Sequence, residues 1–332
     1  QLFKGIALGA ALLSAQPVLA ADRELLNTSY DIARELFAAY NEEFKKHWQE
    51  KTGETVEIKQ SHAGSSKQAQ AIIQGLKADV ATFNQVTDID ILYQRGRLIP
   101  EDWADRLPNN SSPYYSTMAF LVREGNPKNI ENWDDLVRED VQLVMPNPKT
   151  SGNGRYTYLA ALGYAQDQFG DDQEKIDQFM ADLLGQVRVF DSGGRGATTT
   201  FVERGIGDVL LTFESEVLNI ADRFENGEYV AVTPKVSFLA EFPVTWIDDY
   251  VEQNGTAELA KEYLEHLYTE DSQRLLAGFN YRVHNDAVKA ENADRFPELK
   301  LLSIEEIAGG WENAMSTHFS SGGKLDQLQR RR

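Results

Sequence analysis

The stretch Asn-Pro-Lys-Thr-Ser-Gly-Asn-Gly-Arg at residues 147–155 decides how this chain folds. It follows an apolar run at Val141–Met145 and precedes a helix-patterned stretch that starts near Tyr156. Two glycines and a small hydroxyl residue at such a junction predict a strand-to-helix turn. In that turn unpaired backbone N–H groups meet the positive end of the helix dipole. A turn of this kind holds a small anion without a charged side chain.

Two further turns of the same kind support this interpretation. One is Asp-Ser-Gly-Gly-Arg-Gly-Ala-Thr at residues 191–198, and the other is His-Ala-Gly-Ser-Ser-Lys at residues 62–67. Each follows a strand-like run and opens a helix-like one. An isolated Gly-x-Gly is typical of an ordinary structural turn. Three such turns at the ends of strands instead indicate a binding site.

Strand-like runs alternate with helix-like runs of ten or more residues after Asp22. This alternation predicts an α/β fold in which mostly parallel sheets are flanked by helices. The strand-like runs lie at Leu25–Ser29, Thr55–Gln60, Asp79–Phe83, Val141–Met145, Val187–Phe190, Asp208–Phe213 and Tyr229–Thr233.

Two longer extended stretches, Ser116–Val122 and Phe238–Ile247, predict a paired crossover between two lobes. The first lobe then comprises residues 22–118 and 244–332, and the second comprises residues 119–243. In open α/β sheets ligands bind beyond the carboxyl ends of the strands. All three turns lie at such ends, so we expect the ligand in a cleft between the lobes.

The N-terminus predicts export. Residues 1–20 carry Lys4, a short apolar stretch and the small-residue sequence Val18-Leu19-Ala20, as a cleavable signal peptide does. The apolar stretch is too short to anchor the chain in a bilayer. We therefore expect a soluble periplasmic protein, and the absence of cysteine means that no disulfide stabilises it.

Composition and motifs argue against several other functions. A formal net charge of −19 repels nucleic acid at long range, so no nucleic-acid partner is expected. The five histidines are scattered without metal-ligand spacing, so neither a metal nor another cofactor is expected. No Gly-x-Ser-x-Gly elbow is present. A binding protein is favoured over the alternative, a secreted hydrolase of a sulfate or phosphate ester.

Several motifs resemble those of the periplasmic sulfate-binding proteins of ABC importers. They are Asn-Pro-Lys-Thr-Ser-Gly at 147–152, Gln-Ser-His at 60–62 with Gly64-Ser65, Asp-Ser-Gly at 191–193, and Thr-Phe-Val-Glu-Arg-Gly-Ile-Gly-Asp-Val-Leu at 200–210. The resemblance covers essentially the whole chain after the signal peptide. It implies a monomeric two-lobed binding protein of type II that captures one tetrahedral oxyanion, delivers it to a membrane permease and catalyses no reaction.

The resemblance also implies that neutral donors alone hold the anion. Sulfate carries no proton at neutral pH, so a donor-only site satisfies it completely. Hydrogen phosphate would leave its own proton facing a donor, which is costly. The donors that the resemblance implies are the hydroxyl and N–H of Ser65, the hydroxyl of Ser151, and the N–H groups of Gly152, Asn153 and Gly194.

The sequence departs from the family pattern around these donors. Phe213 stands where the family usually has a tryptophan whose indole donates to the anion, and Asn153 and Gly154 replace a glycine and an alanine. The amide of Asn84 or Gln85 is expected to compensate for the lost donor. The alternative is a pocket that is larger or more apolar, made for a different oxyanion.

Two further points stay open at this stage. Asp31 and Arg195 either orient the turns of the cleft from behind the donors or form an ordinary surface pair. The runner-up ligands are thiosulfate, molybdate and tungstate. A ferric-ion site is less favoured, because the adjacent tyrosines Tyr114 and Tyr115 lie on the predicted crossover.

Overall fold

The structure is a computed structural model that describes residues 20–224 and 226–331. The predicted signal peptide therefore lies, apart from Ala20, outside the described residues. The strands of the described part are β1 (Arg23–Ser29), β2 (Val56–His62), β3 (Val80–Thr82), β4 (Tyr114–Ser116), β5 (Met118–Arg123), β6 (Leu143–Pro146), β7 (Val187–Asp191), β8 (Val209–Phe213), β9 (Tyr229–Val232), β10 (Val236–Phe238), β11 (Ala240–Phe242), β12 (Val244–Trp246), β13 (Arg282–Val283) and β14 (Lys300–Leu302).

Helices separate most of these strands, which confirms the predicted α/β class. Within the described ranges, no helix has the length and apolar character needed to cross a membrane. The helices are α1 (Arg34–Thr52), α2 (Ser65–Ile73), α3 (Val86–Gln94), α4 (Pro108–Ser111), α5 (Gly152–Phe169), α6 (Gln173–Gln186), α7 (Gly194–Thr198), α8 (Glu214–Arg223), α9 (Asp248–Asn254), α10 (Ala257–Glu265), α11 (Glu270–Gly278), α12 (Asp286–Glu291), α13 (Ile304–Ala308), α14 (Trp311–Ala314) and α15 (Lys324–Gln329).

The first sheet has the strand order β12-β3-β1-β2. Strand β1 runs parallel to both β2 and β3, whereas β12 is antiparallel to β3. Ser29, the last residue of β1, lies opposite His62 and also opposite Thr82. Three strands therefore end at one edge of the sheet, and the turns that lead into α1, α2 and α3 start there.

The second sheet has the strand order β7-β6-β8-β5-β9. Strand β6 is parallel to β7 and β8, but β5 is antiparallel to both β8 and β9. The parallel arrangement thus holds for β6, β7 and β8, which precede helices. Pro146 lies opposite Asp191, so the turns at residues 147–151 and 192–193 begin side by side.

The predicted crossover is present as two antiparallel stretches. Strand β4 pairs with β11, with Ser116 opposite Ala240. On one side of this pairing the chain continues into β5 of the second sheet, and on the other it continues into β12 of the first sheet. Within the two predicted stretches, the strand pairing therefore joins only Ser116 to Ala240, because β5 pairs with β8 and β9 and β12 pairs with β3.

The C-terminal segment packs on the second sheet's helices. Strand β14 pairs with β10, α13 contacts α5, and α15 contacts α6. Gly163 of α5 shows how close this packing is, since an added Cβ would lie 2.8 Å from Leu302 Cδ1. The division into two lobes stays a prediction, and these contacts favour placing residues 300–331 with the second lobe rather than the first.

Helix α5 fixes the position of one wall of the site, because the helix is buried along most of its length and so cannot shift easily. Its residues from Gly152 to Ala165 are all buried, between the second sheet and the C-terminal segment. Asn147 fixes the approach to the helix, since its N–H donates to Asp191 O at 2.7 Å and its own carbonyl accepts from Ser151 N at 2.9 Å. A helix held on all sides keeps its N-terminus in one position.

Candidate functional site

A cavity of about 30 Å³ lies where turns that follow β1, β2 and β3 meet turns that follow β6 and β7. Pockets for drug-sized ligands measure roughly 300–1,000 Å³, so this cavity fits a ligand of ionic size. Within residues 20–224 and 226–331, no lysine, arginine or histidine lines it. The lining residues are Asp31, Ile32, Gly64, Ser65, Ser66, Asn84, Thr150, Ser151, Gly152, Asn153, Ser192, Gly193 and Gly194.

Helix α2 begins at this cavity with Ser65. Gly64 precedes the helix in an extended conformation, and its carbonyl accepts from Lys67 N at 2.9 Å and Gln68 N at 3.0 Å. The N–H groups of Ser65 and Ser66 come before that first bond, as the first N–H groups of a helix do. Ser65 is buried and its hydroxyl donates to Asn84 Oδ1.

Helix α5 begins at the opposite wall with Gly152. Ser151 caps the helix, and its hydroxyl oxygen accepts from Gly154 N at 3.4 Å. A Cβ at Gly154 would lie 2.5 Å from Pro146 O. Glycine at position 154, where the resemblance expects alanine, is therefore explained by the close approach of two backbone segments.

Helix α7 supplies the third N-terminus, with Gly193 as its cap and Gly194 as its first residue. Gly194 is buried, and a Cβ there would lie 2.9 Å from Asn153 Nδ2, so a side chain at this position would displace the Asn153 amide. Helix α7 continues directly into a π-helical turn at Thr199–Glu203. Each N-terminus carries roughly half a positive charge, so three together favour an anion.

Asp31 also lines the cavity and brings a carboxylate to it. Its Oδ1 accepts from Ile32 N at 2.9 Å, and its Oδ2 lies 3.6 Å from the position of a Cβ at Gly193. Arg195 instead lies 3.8 Å from Glu35, and both of these side chains are more than half exposed. Asp31 and Arg195 are thus not joined as a pair, and the side-chain lining includes acceptors as well as donors.

A buried charged pair lies behind the cavity. Arg155 Nη2 is 3.8 Å from Asp88 Oδ2, and Arg155 Nε donates to Gln85 Oε1 at 3.1 Å. Ser66 donates to Asp88 Oδ1 at 2.8 Å, which ties the pair to the start of α2. Burial raises the pKa of Asp88, although the nearby Arg155 acts in the opposite direction.

His62 connects two of the cavity's walls. Its Nδ1 donates to Tyr30 O at 2.9 Å, and its Nε2 lies 2.7 Å from Gln60 Oε1. Tyr30 immediately precedes Asp31, so the imidazole links the end of β2 to the turn after β1. Burial lowers the pKa of His62, which keeps the ring neutral near pH 7.

The residues expected from the sequence fall into two groups. The cavity is lined by all five of the expected donor residues, Ser65, Ser151, Gly152, Asn153 and Gly194. Asn84, expected to compensate for the lost donor, and Asp31, expected behind the donors, also line it. Gln85, Phe213 and Arg195 do not line it.

Phe213 and Gln85 have other surroundings. Phe213 is fully buried and packs against Tyr156 and Phe242, with ring centroids 5.8 Å and 5.1 Å away. Gln85 is fully buried and bonds Arg155. The expectation that the Gln85 amide reaches the anion is therefore not supported by its position, whereas Asn84 remains available.

Sequence reasoning did not single out several other lining residues as ligands. Ile32, Ser66, Thr150, Ser192 and Gly193 each lie within one or two positions of a residue that it did identify. Their placement follows from the turns themselves, so a wider window around each turn would have found them. Thr212 is a different case, because it does not line the cavity but bonds the side chain of Asn153, which does.

Known proteins with this architecture include binders of small oxyanions. A thiosulfate-binding protein of Escherichia coli (strain K12) is 57% identical over 324 residues, covering 97% of this chain and 95% of that protein. A sulfate-binding protein of the same strain is 47% identical, covering 96% of this chain and 97% of that protein. The solved structure of the sulfate-binding protein SubI from Mycobacterium tuberculosis H37Rv is 29% identical and has a TM-score of 0.79, covering 90% of this chain and 100% of that chain.

The family profile described as bacterial extracellular solute-binding protein matches residues 32–282. That range includes all three helix N-termini and every residue that lines the cavity except Asp31. Together with relatives that are 47–57% identical over nearly the whole chain, it leads to one conclusion: the chain belongs to the family of bacterial extracellular solute-binding proteins.

Proposed function

We propose that this protein captures sulfate or thiosulfate in the cavity and delivers it to an ABC importer in the membrane. The main support for the proposal is that the N-termini of α2, α5 and α7 converge on a cavity of about 30 Å³. No cationic side chain among the described residues lines this cavity. Three helix dipoles and the N–H groups of the first helical turns then replace the water around a dianion.

The choice of neutral donors favours a reversible receptor. Charged hydrogen bonds contribute about 1.5–3 kcal/mol each, and several of them hold the anion firmly without a permanent ion pair. The importer must take the anion back out of the cleft, which a hinge opening of the two lobes permits. We propose an exported, monomeric protein of the periplasm whose partner is the permease of the importer.

Two observations support thiosulfate as the second candidate ligand: the phenylalanine at position 213 and the names of the relatives. The thiosulfate-binding protein of Escherichia coli is 57% identical and the sulfate-binding protein of the same strain is 47% identical. Phe213 lacks the indole donor that the resemblance to sulfate-binding proteins leads us to expect. A ligand whose fourth substituent is a weakly hydrogen-bonding sulfur has less need of that donor. Molybdate and tungstate stay as further alternatives.

A hydrolase in the same cleft is less well supported. The hydroxyls in the lining are those of Ser65, Ser66, Thr150, Ser151 and Ser192. Among the described residues, no histidine, lysine or arginine lines the cavity, and the carboxylate in the lining is that of Asp31, whose Oδ1 accepts from Ile32 N. An activated nucleophile needs a neighbouring base or a metal. The named relatives are solute-binding proteins. Incubation with a panel of sulfate and phosphate esters tests this alternative, and hydrolysis of any of them would support it.

Isothermal titration calorimetry with sulfate, thiosulfate, molybdate and phosphate tests the proposal. We expect one site per chain for sulfate or thiosulfate. Phosphate binding should be weaker by about tenfold or more, because hydrogen phosphate brings its own proton to a site whose expected ligand groups are mostly donors. Phosphate bound most tightly, or heat changes from none of the four anions, would overturn the proposal. Either of those results would redirect the search to other ligands of the cleft.

A further inference from the structure

The side chain of Asn153 is a buried amide in the wall of the cavity. The residue is 2% exposed and is the second residue of α5. Its Nδ2 donates to Thr212 Oγ1 at 2.8 Å. Its Oδ1 is buried and has no hydrogen-bond partner among the described residues. A buried amide oxygen without a partner costs free energy, and a hydrogen-bond donor on a ligand would remove that cost.

Thr212 can bond to either end of this amide. Its hydroxyl both donates and accepts. When Nδ2 faces Thr212, the free end of the amide is the oxygen. When the amide is rotated by about 180° about its last torsion, Thr212 donates to Oδ1 and the NH2 group becomes the free end. The two ends of an amide have nearly the same shape, so the cavity wall accommodates both orientations.

We propose that the Asn153 amide is a ligand-binding group that determines specificity and whose orientation follows the protonation of the anion. It turns its NH2 to a dianion without protons, such as sulfate or thiosulfate, and its carbonyl to a protonated oxyanion such as hydrogen phosphate. This inference rests on the proposed function, since it concerns the same cavity.

The position of Thr212 explains why Asn153 serves this role. Thr212 immediately precedes Phe213, the residue at which the resemblance expects a donating indole. Thr212 bonds the Asn153 amide, so the chain position just before the missing indole is linked to the cavity through Asn153. Asn84 Oδ1 accepts from Ser65 and Gln85 Oε1 accepts from Arg155, whereas no described residue bonds the oxygen of Asn153.

Two substitutions separate the amide's role from that of the backbone. Asn153→Ala removes the side chain but keeps the backbone N–H, and alanine is favourable in a helix. Asn153→Asp keeps the shape but presents only acceptors and a negative charge. The matched control is Asn254→Ala, which deletes an exposed amide that donates to Asp79 Oδ1 at 3.0 Å and does not line the cavity.

Calorimetric titration of the wild type and the three variants with sulfate, thiosulfate and phosphate provides the test. We expect Asn153→Ala to weaken sulfate and thiosulfate binding by about tenfold, the value of one charged hydrogen bond. Asn153→Asp should weaken both by about 100-fold or more, and phosphate by much less, because hydrogen phosphate can donate to the new carboxylate. Asn254→Ala should leave every affinity unchanged.

The ratio of sulfate to phosphate affinity is the decisive readout, because a purely structural role for Asn153 would weaken all anions alike. An unchanged ratio in Asn153→Asp, or unchanged sulfate and thiosulfate affinities in Asn153→Ala, would overturn the inference while leaving the proposed function intact. A wild-type protein that binds none of the three anions would overturn both. The two failures are therefore distinguishable in one set of titrations.

Discussion

Gly152 lies so close to Gln85 that a Cβ added at Gly152 would be 3.0 Å from both the Cβ and the Oε1 of Gln85. The two residues come from different sides of the cavity, since Gly152 opens α5 and Gln85 precedes α3. The start of α5 therefore lies close to the residue that precedes α3. Glycine at position 152 is therefore required for the close approach of the two sides as well as for the donor N–H.

Gly152→Ala should weaken anion binding because the added methyl group opposes this approach. Overpacking costs about 1–3 kcal/mol, so we expect affinity to fall by about tenfold. Calorimetry measures the affinity, and small-angle scattering with saturating sulfate should show a less compact particle than the wild type. Gly185→Ala in α6 is the matched control, since nothing lies within 4 Å of a Cβ there. Equal affinities in both variants would refute the role of the contact.

Ser151→Ala removes a hydroxyl that we expect to donate to the anion. One charged hydrogen bond is worth roughly 1.5–3 kcal/mol, so sulfate affinity should fall about tenfold or more. The same hydroxyl oxygen accepts from Gly154 N, so loss of the cap should also lower the free energy of unfolding by about 1 kcal/mol. Calorimetry and thermal melting separate the two effects. Unaltered affinity for every oxyanion tested would remove this serine from the site.

Phe213→Trp tests whether the missing indole can simply be restored. Phe213 is fully buried against Tyr156 and Phe242, and a larger ring in a filled space costs about 1–3 kcal/mol of stability. We expect a lower melting temperature and no gain in sulfate affinity. Tenfold tighter sulfate binding in this variant would show that position 213 reaches the anion and that the pocket lacks only that donor.

His318 should make stability depend on pH. Burial, and secondarily Lys324, lowers the pKa of His318 to about 4, while Asp177 acts in the opposite direction. The unfolded chain has the ordinary value of about 6.5 and so binds the proton more tightly. Stability is therefore complete above about pH 6.5 and is lost as the pH falls towards 4.

His318→Gln should reduce that loss. Thermal melting at pH 7 and pH 4.5 measures the difference for the wild type and the variant. His266, whose pKa burial and the neighbouring His47 lower to about 4, contributes in the same direction, so the substitution should remove only part of the loss. An equal drop in both proteins would contradict the assignment to His318.

Much of the fold and about half of the site could be predicted from the sequence, because the features that specify them lie within short segments of the chain. The turns at residues 62–67, 147–155 and 191–198 are each specified by a strand, two or three small residues and a helix, all within a few positions. Backbone N–H groups at the start of a helix have a fixed direction. The cavity-lining positions of Ser65, Ser151, Gly152 and Gly194 could therefore be predicted from the turns, and their roles as donors stay a prediction from the family resemblance.

Side-chain contacts between distant segments could not be predicted in this way. Arg195 pairs with Glu35 rather than Asp31, and Gln85 is held by Arg155. Phe213 packs away from the cavity because the direction of a side chain at the end of a strand depends on the sheet's register. Such contacts leave no periodic signal in the sequence, and the antiparallel crossover strands that bring them together are short.

A crystal structure with selenate tests the central claim most directly. Selenate is a tetrahedral dianion like sulfate, and its selenium gives an anomalous signal that locates it without ambiguity. We predict a single anomalous peak per chain in the cavity, within hydrogen-bond reach of the N-termini of α2, α5 and α7. A peak elsewhere on the protein, or none in the cavity at a saturating selenate concentration, would contradict the account.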